Sequence, residues 1–225
     1  MLEFSIVIPV YNEEESLDPL FTELKSQMDS LKRPYEIIFV DDCSADNSLT
    51  KMEGYQRKFP SLVQVIRLPQ RSGQTYAMRQ GLAALKGAVA ITLDADLQND
   101  PADIPKLLKK MQAGYDMVCG WRKDRMDLPL KKSLSKFGNV LQRSFSGLKI
   151  HDVSCTLRAF KRECIPYIAL DWEGQHRFIP LSVSKKGYKV GEVVSHHRQR
   201  KFGYSKYSHK RIFKVVTDFF KVLKP

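Results

Sequence analysis

The chain has little cysteine: four residues in 225, none in a C-x-x-C pair. Cys43, Cys119, Cys155 and Cys164 are scattered, which argues against a zinc site and against a disulfide-dense secreted fold. No apolar run approaches the roughly 18 residues that would cross a bilayer. Glu3 interrupts the start and the apolar stretch behind it is short, so no signal peptide is expected there. A cytoplasmic, reducing compartment is the expectation. Neither G-x-G-x-x-G behind the first strand nor G-x-x-x-x-G-K-[ST] occurs, which removes the dinucleotide and P-loop readings. Linkers rich in Gly, Pro or Ser, internal repeats and low-complexity tracts are also lacking, so one domain with an elaborated second half is expected.

Positive charge, by contrast, is plentiful and uneven. The chain carries 37 Lys and Arg against 25 Asp and Glu, a net of +12. Residues 121–145 hold a net +5 and residues 196–225 a net +8, leaving the rest near −1. Basicity concentrated this way points to phosphate-bearing partners: a nucleotide, a nucleic acid or an anionic membrane surface. Nucleic acid is disfavoured, because the basic stretches lack the interleaved stacking aromatics of a recognisable module. Oligomeric state is left open.

Apolar, β-branched runs predict strands at residues 4–10, 35–40, 62–68, 89–93 and 115–120. Pro9 is expected to end the first strand's pairing. Leu17, Leu20, Phe21, Leu24 and Met28 recur at helical spacing. Ser44 and Asp46 are read as caps of a helix running to about Lys58. Further helices are expected over residues 76–86, stopped by Gly87, and over residues 101–113, closed by Gly114. Strict alternation of strand and helix over the first 120 residues is the pattern of a doubly wound, mostly parallel α/β sheet. Beyond it the alternation breaks. Helices are expected at residues 131–145, 162–168 and 178–186, and strands at 156–160 and 188–194. Ile212, Val215, Val216, Phe219, Phe220 and Leu223 line one side of a basic amphipathic helix, which packs on the domain or lies in a membrane interface.

In doubly wound sheets ligands bind at the carboxyl ends of the strands. The polar clusters Tyr11/Glu13, Asp41/Asp42, Arg71/Gln74 and Asp94/Asp96 fall at four such ends. Of these, Asp94 and Asp96 carry the sharpest chemistry. They flank Ala95, so on an extended chain they point the same way. Two like charges side by side call for a cation, and hard carboxylate oxygens suit Mg²⁺ or Mn²⁺ holding a diphosphate. A strand ending in a solvated acidic turn is the plainer alternative.

Several ordered stretches carry a resemblance: Ile8-Pro9-Val10-Tyr11-Asn12-Glu13, Val40-Asp41-Asp42-Cys43-Ser44, Leu93-Asp94-Ala95-Asp96-Leu97-Gln98 and Gly120-Trp121-Arg122. Together they resemble the signatures of family 2 glycosyltransferases of the GT-A fold. Asp152-Val153-Ser154-Cys155-Thr156-Leu157-Arg158-Ala159-Phe160, His176-Arg177-Phe178-Ile179-Pro180 and Phe202-Gly203-Tyr204-Ser205-Lys206-Tyr207 narrow the likeness to the polyprenyl-phosphate glycosyltransferases. Cys43 stands where Gly is common in that group and Trp121 where Ser is common. Many members continue into transmembrane helices.

The resemblance implies a GT-A catalytic domain over residues 1–208, with a nucleotide-binding half (1–120) and an acceptor-binding half (121–208), followed by the basic helix at 209–225. It implies inverting, metal-dependent transfer of a sugar from a UDP- or GDP-linked donor to a polyprenyl monophosphate. The expected setting is the cytoplasmic face of a membrane, with the protein peripheral or membrane-anchored. A glycosyltransferase extending a glycan through a hydroxyl acceptor is the rival. By the same likeness Pro9, Tyr11, Glu13, Asp41, Asp42 and Gln74 form the nucleotide pocket, with Arg200 and Lys206 closing over the diphosphate. Asp94, Asp96 and the Gln98 amide would hold the metal. Arg122, Lys131 and Ser135 would hold the acceptor phosphate. Asp152 would act near the acceptor oxygen as base or orienter, and His176 and Arg177 would steer sugar or phosphate or serve structurally. A phosphate monoester is already anionic at neutral pH, so it needs no strong base, and positioning with electrostatics can carry the reaction.

Overall fold

The structure is a computed structural model and describes residues 2–123 and 148–202. Its described strands form one seven-stranded sheet in the order β3-β2-β1-β4-β6-β5-β7. These are β1 (Phe4–Val10), β2 (Tyr35–Asp41), β3 (Val63–Arg67), β4 (Val89–Thr92), β5 (Met117–Trp121), β6 (Arg158–Lys161) and β7 (Val190–Val194). The helices between the early strands are α1 (Glu14–Ser30), α2 (Ser48–Lys58), α3 (Gln74–Ala84) and α4 (Ile104–Gln112). Residues 131–145 and 209–225, where two helices were expected, lie outside the described residues.

Alternation within the strands explains the layers. Ile6, Ile8, Ile37, Phe39 and Ile91 share one buried cluster with Leu17, Leu20, Leu24 and Met28 of α1, Met52 of α2 and Leu107 of α4. The residues between them, Val7, Ile38, Val40 and Ala90, join Ala77, Met78 and Leu82 of α3 and Ile179 and Val183 of the short helix Ile179–Lys185. Both faces of the sheet are covered, which is why β1 and β2 read as unbroken apolar runs instead of half-polar ones. Gly81 is what lets α3 lie close on β1: a Cβ there would sit 2.3 Å from Val7 Cγ1.

All the pairings are parallel except those of β6, which runs antiparallel to both β4 and β5. Chain order turns around between β1 and β4, because β1 leads outward to β2 and β3 on one side and has β4 on the other. That is the switch point at which open α/β sheets bind ligands.

Local expectations fail in instructive ways. Pro9 does not end the ladder. β1 stays in register with β2 through Val10, whose carbonyl accepts from Asp42 N–H. Strand pleating turns Pro9 to the β4 side, where pairing has already stopped at Val7, so its missing N–H costs nothing. Ser44 and Asp46 do not start a helix at their own positions. Ser44 Oγ accepts from Asn12 N–H and Asp46 Oδ2 from Glu14 N–H, tying two loops together, while Asp46 Oδ1 accepts from Ser48 N–H at 2.9 Å and so meets the first N–H of α2, which begins at Ser48. The expected strand at 156–160 begins at Arg158 and is the reversed one. α3 ends at Ala84 with Leu85 extended, before Gly87 is reached.

Candidate active site

A pocket opens at the carboxyl ends of β1 and β4. Pro9, Tyr11 and Glu13 line it from the first, and Asp94, Ala95 and Asp96 from the second. Asp42, Arg71, Gly73 and Gln74 close one flank, and Glu173 and Arg200 come from the second half of the chain. β4 stops at Thr92, so the acid pair does not sit on extended strand. It sits on a turn in which Leu97 takes φ 61, yet both carboxylates still face one cavity.

Each acid is held by named partners. Gln74 Nε2 donates to Asp94 Oδ1 at 2.6 Å, and Thr156 Oγ donates to Asp94 Oδ2 at 2.7 Å. Gln98 N–H donates to Asp96 Oδ1 at 3.1 Å, and Arg200 Nη2 donates to Asp96 Oδ2. Arg200 Nη1 lies 3.6 Å from Glu13 Oε1. Burial pushes the Asp94 carboxyl up, against the pull of Thr156, Arg122, Arg158 and Gln74. Burial and then the neighbouring Asp94 charge push Asp96 up to about 6, with Arg200 opposing. Two neighbouring acids, both pushed up by burial and one of them also by the other's charge, mark a site short of positive charge.

The other expected nucleotide residues divide. Tyr11 lies under the Arg71 guanidinium, 4.1 Å from its ring centroid, at the pocket wall. Asp42 is turned to the neighbouring loop: its carboxylate accepts from Ser72 N–H at 2.6 Å and Gly73 N–H at 2.9 Å. Asp41 is 1% exposed, accepts from Ser44 N–H at 3.2 Å, and stands outside the pocket lining. Strand alternation separates these adjacent acids, sending only the second toward the cavity. Directly after them the turn takes φ 59 at Cys43, a conformation that glycine adopts without strain. Gln98 also stands outside the lining, and its amide donates to Arg198 O at 3.4 Å.

Of the residues expected at the acceptor, Arg122 follows β5 and Asp152 precedes β6, and strand reversal brings them together outside the pocket lining. Arg122 Nε and Nη2 donate to the two oxygens of Asp152 at 2.7 and 3.0 Å, and Nη2 also donates to Ser154 Oγ at 3.0 Å. The Asp152 carboxylate therefore grips Arg122 with both oxygens, an orienter's geometry. His176 is 1% exposed, with Nδ1 2.6 Å from Thr75 Oγ, and Arg177 O accepts from Arg158 Nη2. His176 is thus buried outside the pocket lining, and Arg177 is half-buried. Lys131, Ser135 and Lys206 lie outside the described residues.

Sequence reasoning missed three contributors. Thr156 grips Asp94 and itself accepts from Asn99 Nδ2 at 3.0 Å. Glu173 reaches the pocket with Thr75 N–H on its Oε2 at 3.0 Å. Arg158, wholly buried, donates to His176 O at 2.7 Å and Val153 O at 2.9 Å. Thr156 and Arg158 stand in the Asp152–Phe160 stretch that carries the resemblance, but their roles rest on long-range contacts that spacing along the chain does not carry, and Glu173 has no other signal.

Does this donor set suit a divalent cation? Five carboxylates line the pocket (Glu13, Asp42, Asp94, Asp96, Glu173) against two guanidiniums (Arg71, Arg200). An excess of hard oxygens and negative charge fits Mg²⁺ or Mn²⁺. Among the described residues no group of three or more His, Cys, Asp or Glu converges on one metal position. Asp94 and Asp96 would supply the protein's share, the remainder coming from diphosphate oxygens and water, as is usual for Mg²⁺.

Fold and site together define a GT-A glycosyltransferase. The glycosyl transferase family 2 model matches residues 5–167, and the chain belongs to that family. It is 36% identical over 99% of its length to a dodecaprenyl-phosphate galacturonate synthase from Rhizobium johnstonii, covering 67% of that protein. It is 37% identical over 95% of its length to an undecaprenyl-phosphate 4-deoxy-4-formamido-L-arabinose transferase from Salmonella choleraesuis, covering 65% of it. The chain thus spans about two thirds of the length of these relatives. Among solved structures, glucosyl-3-phosphoglycerate synthase from Mycobacterium tuberculosis with Mn²⁺ and UDP-glucose superposes with a TM-score of 0.74 at 17% identity, over 99% of this chain and 79% of that one. A mannosyltransferase from Pyrobaculum calidifontis with GDP-mannose and Mn²⁺ gives 0.65 at 19% identity, over 90% and 58%. At these identities the structural likeness speaks for the fold. No helix among the described residues is long and apolar enough to cross a membrane, and all four cysteines are free.

Proposed function

We propose that this domain transfers a sugar from a UDP- or GDP-linked donor to a polyprenyl monophosphate, with inversion and with Mg²⁺ or Mn²⁺, at the cytoplasmic face of a membrane. The observation that carries the reading is the acid pair Asp94/Asp96 in the switch-point pocket, facing Pro9, Tyr11 and Glu13. The polyprenyl phosphate follows the relatives named above, whose names state that acceptor type.

When bound, the metal acts as a Lewis acid that stabilises charge developing on the leaving diphosphate. The chain's own residues do the rest. Tyr11 and Pro9 form the apolar wall for the base, with Glu13 beside it as hydrogen-bond acceptor. Asp42 fixes the loop of Ser72 and Gly73 that shapes the flank. Gln74 and Thr156 orient Asp94. Arg122, locked by Asp152 and Ser154, presents fixed positive charge on the acceptor side, and Lys131 and Ser135 are assigned to the same phosphate. With a nucleophile already anionic, Asp152 acts by orienting Arg122, and the step is a single in-line displacement.

The test incubates the protein with Mn²⁺ or Mg²⁺, a panel of UDP- and GDP-sugars and a short polyprenyl phosphate, and measures nucleoside diphosphate released. Release that requires the lipid phosphate supports the reading. Release with a glycan hydroxyl acceptor in its place supports the rival, and no release with any pair defeats both.

A further inference from the structure

Asp96 faces two claimants. Its Oδ2 accepts from Arg200 Nη2, and no other cationic side chain bonds it among the described residues. The second nitrogen of that guanidinium, Nη1, is buried and has no hydrogen-bond acceptor, with Glu13 Oε1 at 3.6 Å. A buried donor left unspent costs free energy, so Arg200 rests here with part of its capacity unused. It is delivered by a strap, residues 195–200, laid along the acidic turn. Asn99 and His197 form a β-bridge, Arg198 N–H donates to Gln98 O at 2.9 Å, and Arg198 pairs with Asp100 at 2.8 Å. The strap is pinned as far as Arg198, and Arg200 reaches Asp96 from two residues beyond.

We infer that Arg200 and the divalent cation occupy Asp96 in mutual exclusion. Arg200 is the resident counter-charge of the donor-free pocket and moves to the diphosphate when metal and nucleotide arrive. The inference rests on the metal reading of Asp94 and Asp96 proposed above. Two cations on one carboxylate oxygen repel each other at short range. Metal arriving alone must break the Asp96–Arg200 pair and leave the guanidinium with Glu13. Metal arriving with a nucleoside diphosphate gives Arg200 a new partner that its planar fork matches, and the idle Nη1 gains an acceptor. The nucleotide therefore raises metal affinity, and by linkage the metal raises nucleotide affinity by the same factor.

Free Mn²⁺ counted by electron paramagnetic resonance tests this without any catalytic assay. The protein is titrated with Mn²⁺ alone and then with UDP or GDP present, corrected for Mn²⁺ bound by the nucleotide itself. In Arg200→Met, nucleotide-free Mn²⁺ binding is expected to tighten about tenfold and the nucleotide-dependent gain to shrink by a similar factor, within the usual size of such couplings. Arg200→Lys, which keeps the charge, stays near the parent protein. Should the Met variant fail to fold, Arg200→Gln makes the same measurement. A neutral variant whose nucleotide-free Mn²⁺ affinity equals or falls below the parent's overturns the exchange while leaving the metal site standing. No Mn²⁺ binding by the parent with either nucleotide overturns the metal reading and the exchange together.

Discussion

Thr156 Oγ donates to Asp94 Oδ2 at 2.7 Å across 62 residues of chain, joining the segment before β6 to the turn after β4. The same oxygen accepts from Asn99 Nδ2 at 3.0 Å. Thr156→Val keeps the shape and removes both bonds, leaving a buried amide donor unmet. A stability loss of about 1–3 kcal/mol is expected. The KM for the nucleotide sugar should rise as Asp94 loses its fixed orientation. Urea unfolding and steady-state kinetics check the two parts separately.

Asp96 predicts a pH dependence. Its folded pKa of about 6 lies above the ordinary value of 3.8, because burial and Asp94 disfavour its charge. Between those values the folded protein holds more protons than the unfolded chain, so stability falls as pH rises from about 4 to about 6. The gap of about two units is worth at most about 3 kcal/mol. Asp96→Asn should raise the melting temperature of the donor-free protein near neutral pH and flatten the stability curve in that window. An unchanged slope would refute the assignment.

Arg122 and Asp152 form a bidentate pair whose side chains are only 14% and 4% exposed. Asp152→Ala strands a guanidinium and should cost about 3–5 kcal/mol. Replacing both at once, Arg122→Met with Asp152→Leu, should restore most of that stability. Transfer to the lipid phosphate should stay lost, because the fixed positive charge is gone. Recovery of both together would make the pair structural only.

Gly73 takes φ 91, and a Cβ there would lie 2.5 Å from Glu173 Oε2. Gly73→Ala should cost more than about 1 kcal/mol, since neither the backbone conformation nor the space suits it. Adding Glu173→Ala removes the clash but not the backbone strain, so a partial rescue in thermal unfolding is expected.

Much of this architecture is legible along the chain, because its signals are local. The spacing of Leu17, Leu20, Phe21, Leu24 and Met28 marks α1, and unbroken apolar runs mark β1 and β2 as covered on both faces. The direction of β6 is not legible, since an apolar strand reads alike both ways and only its partners orient it. Ser44 looks like a helix cap because capping is the local use of such side chains, yet the loop after β1 claims it, whereas Asp46 serves both, with one oxygen on Glu14 N–H and the other on Ser48 N–H at the start of α2. In the site, Pro9, Tyr11, Glu13, Asp42, Gln74, Asp94, Asp96 and Arg200 meet at one pocket as their positions anticipated. Asp41 and Gln98 do not, for reasons of pleat and turn that one residue of offset decides. The roles of Thr156, though it stands in a quoted motif, and of Glu173 left no local trace, because they lie in contacts 62 and 98 residues away.

The backward run of β6 has an engineering consequence. Arg122 follows β5, and Asp152 and Ser154 precede β6, so the residues proposed to face the acceptor share one stretch of sequence that excludes β1 and β2. A chimera exchanging residues 122–154 with a cousin, and keeping Thr156 for its bond to Asp94, should therefore inherit a new recipient while retaining its original sugar-nucleotide preference.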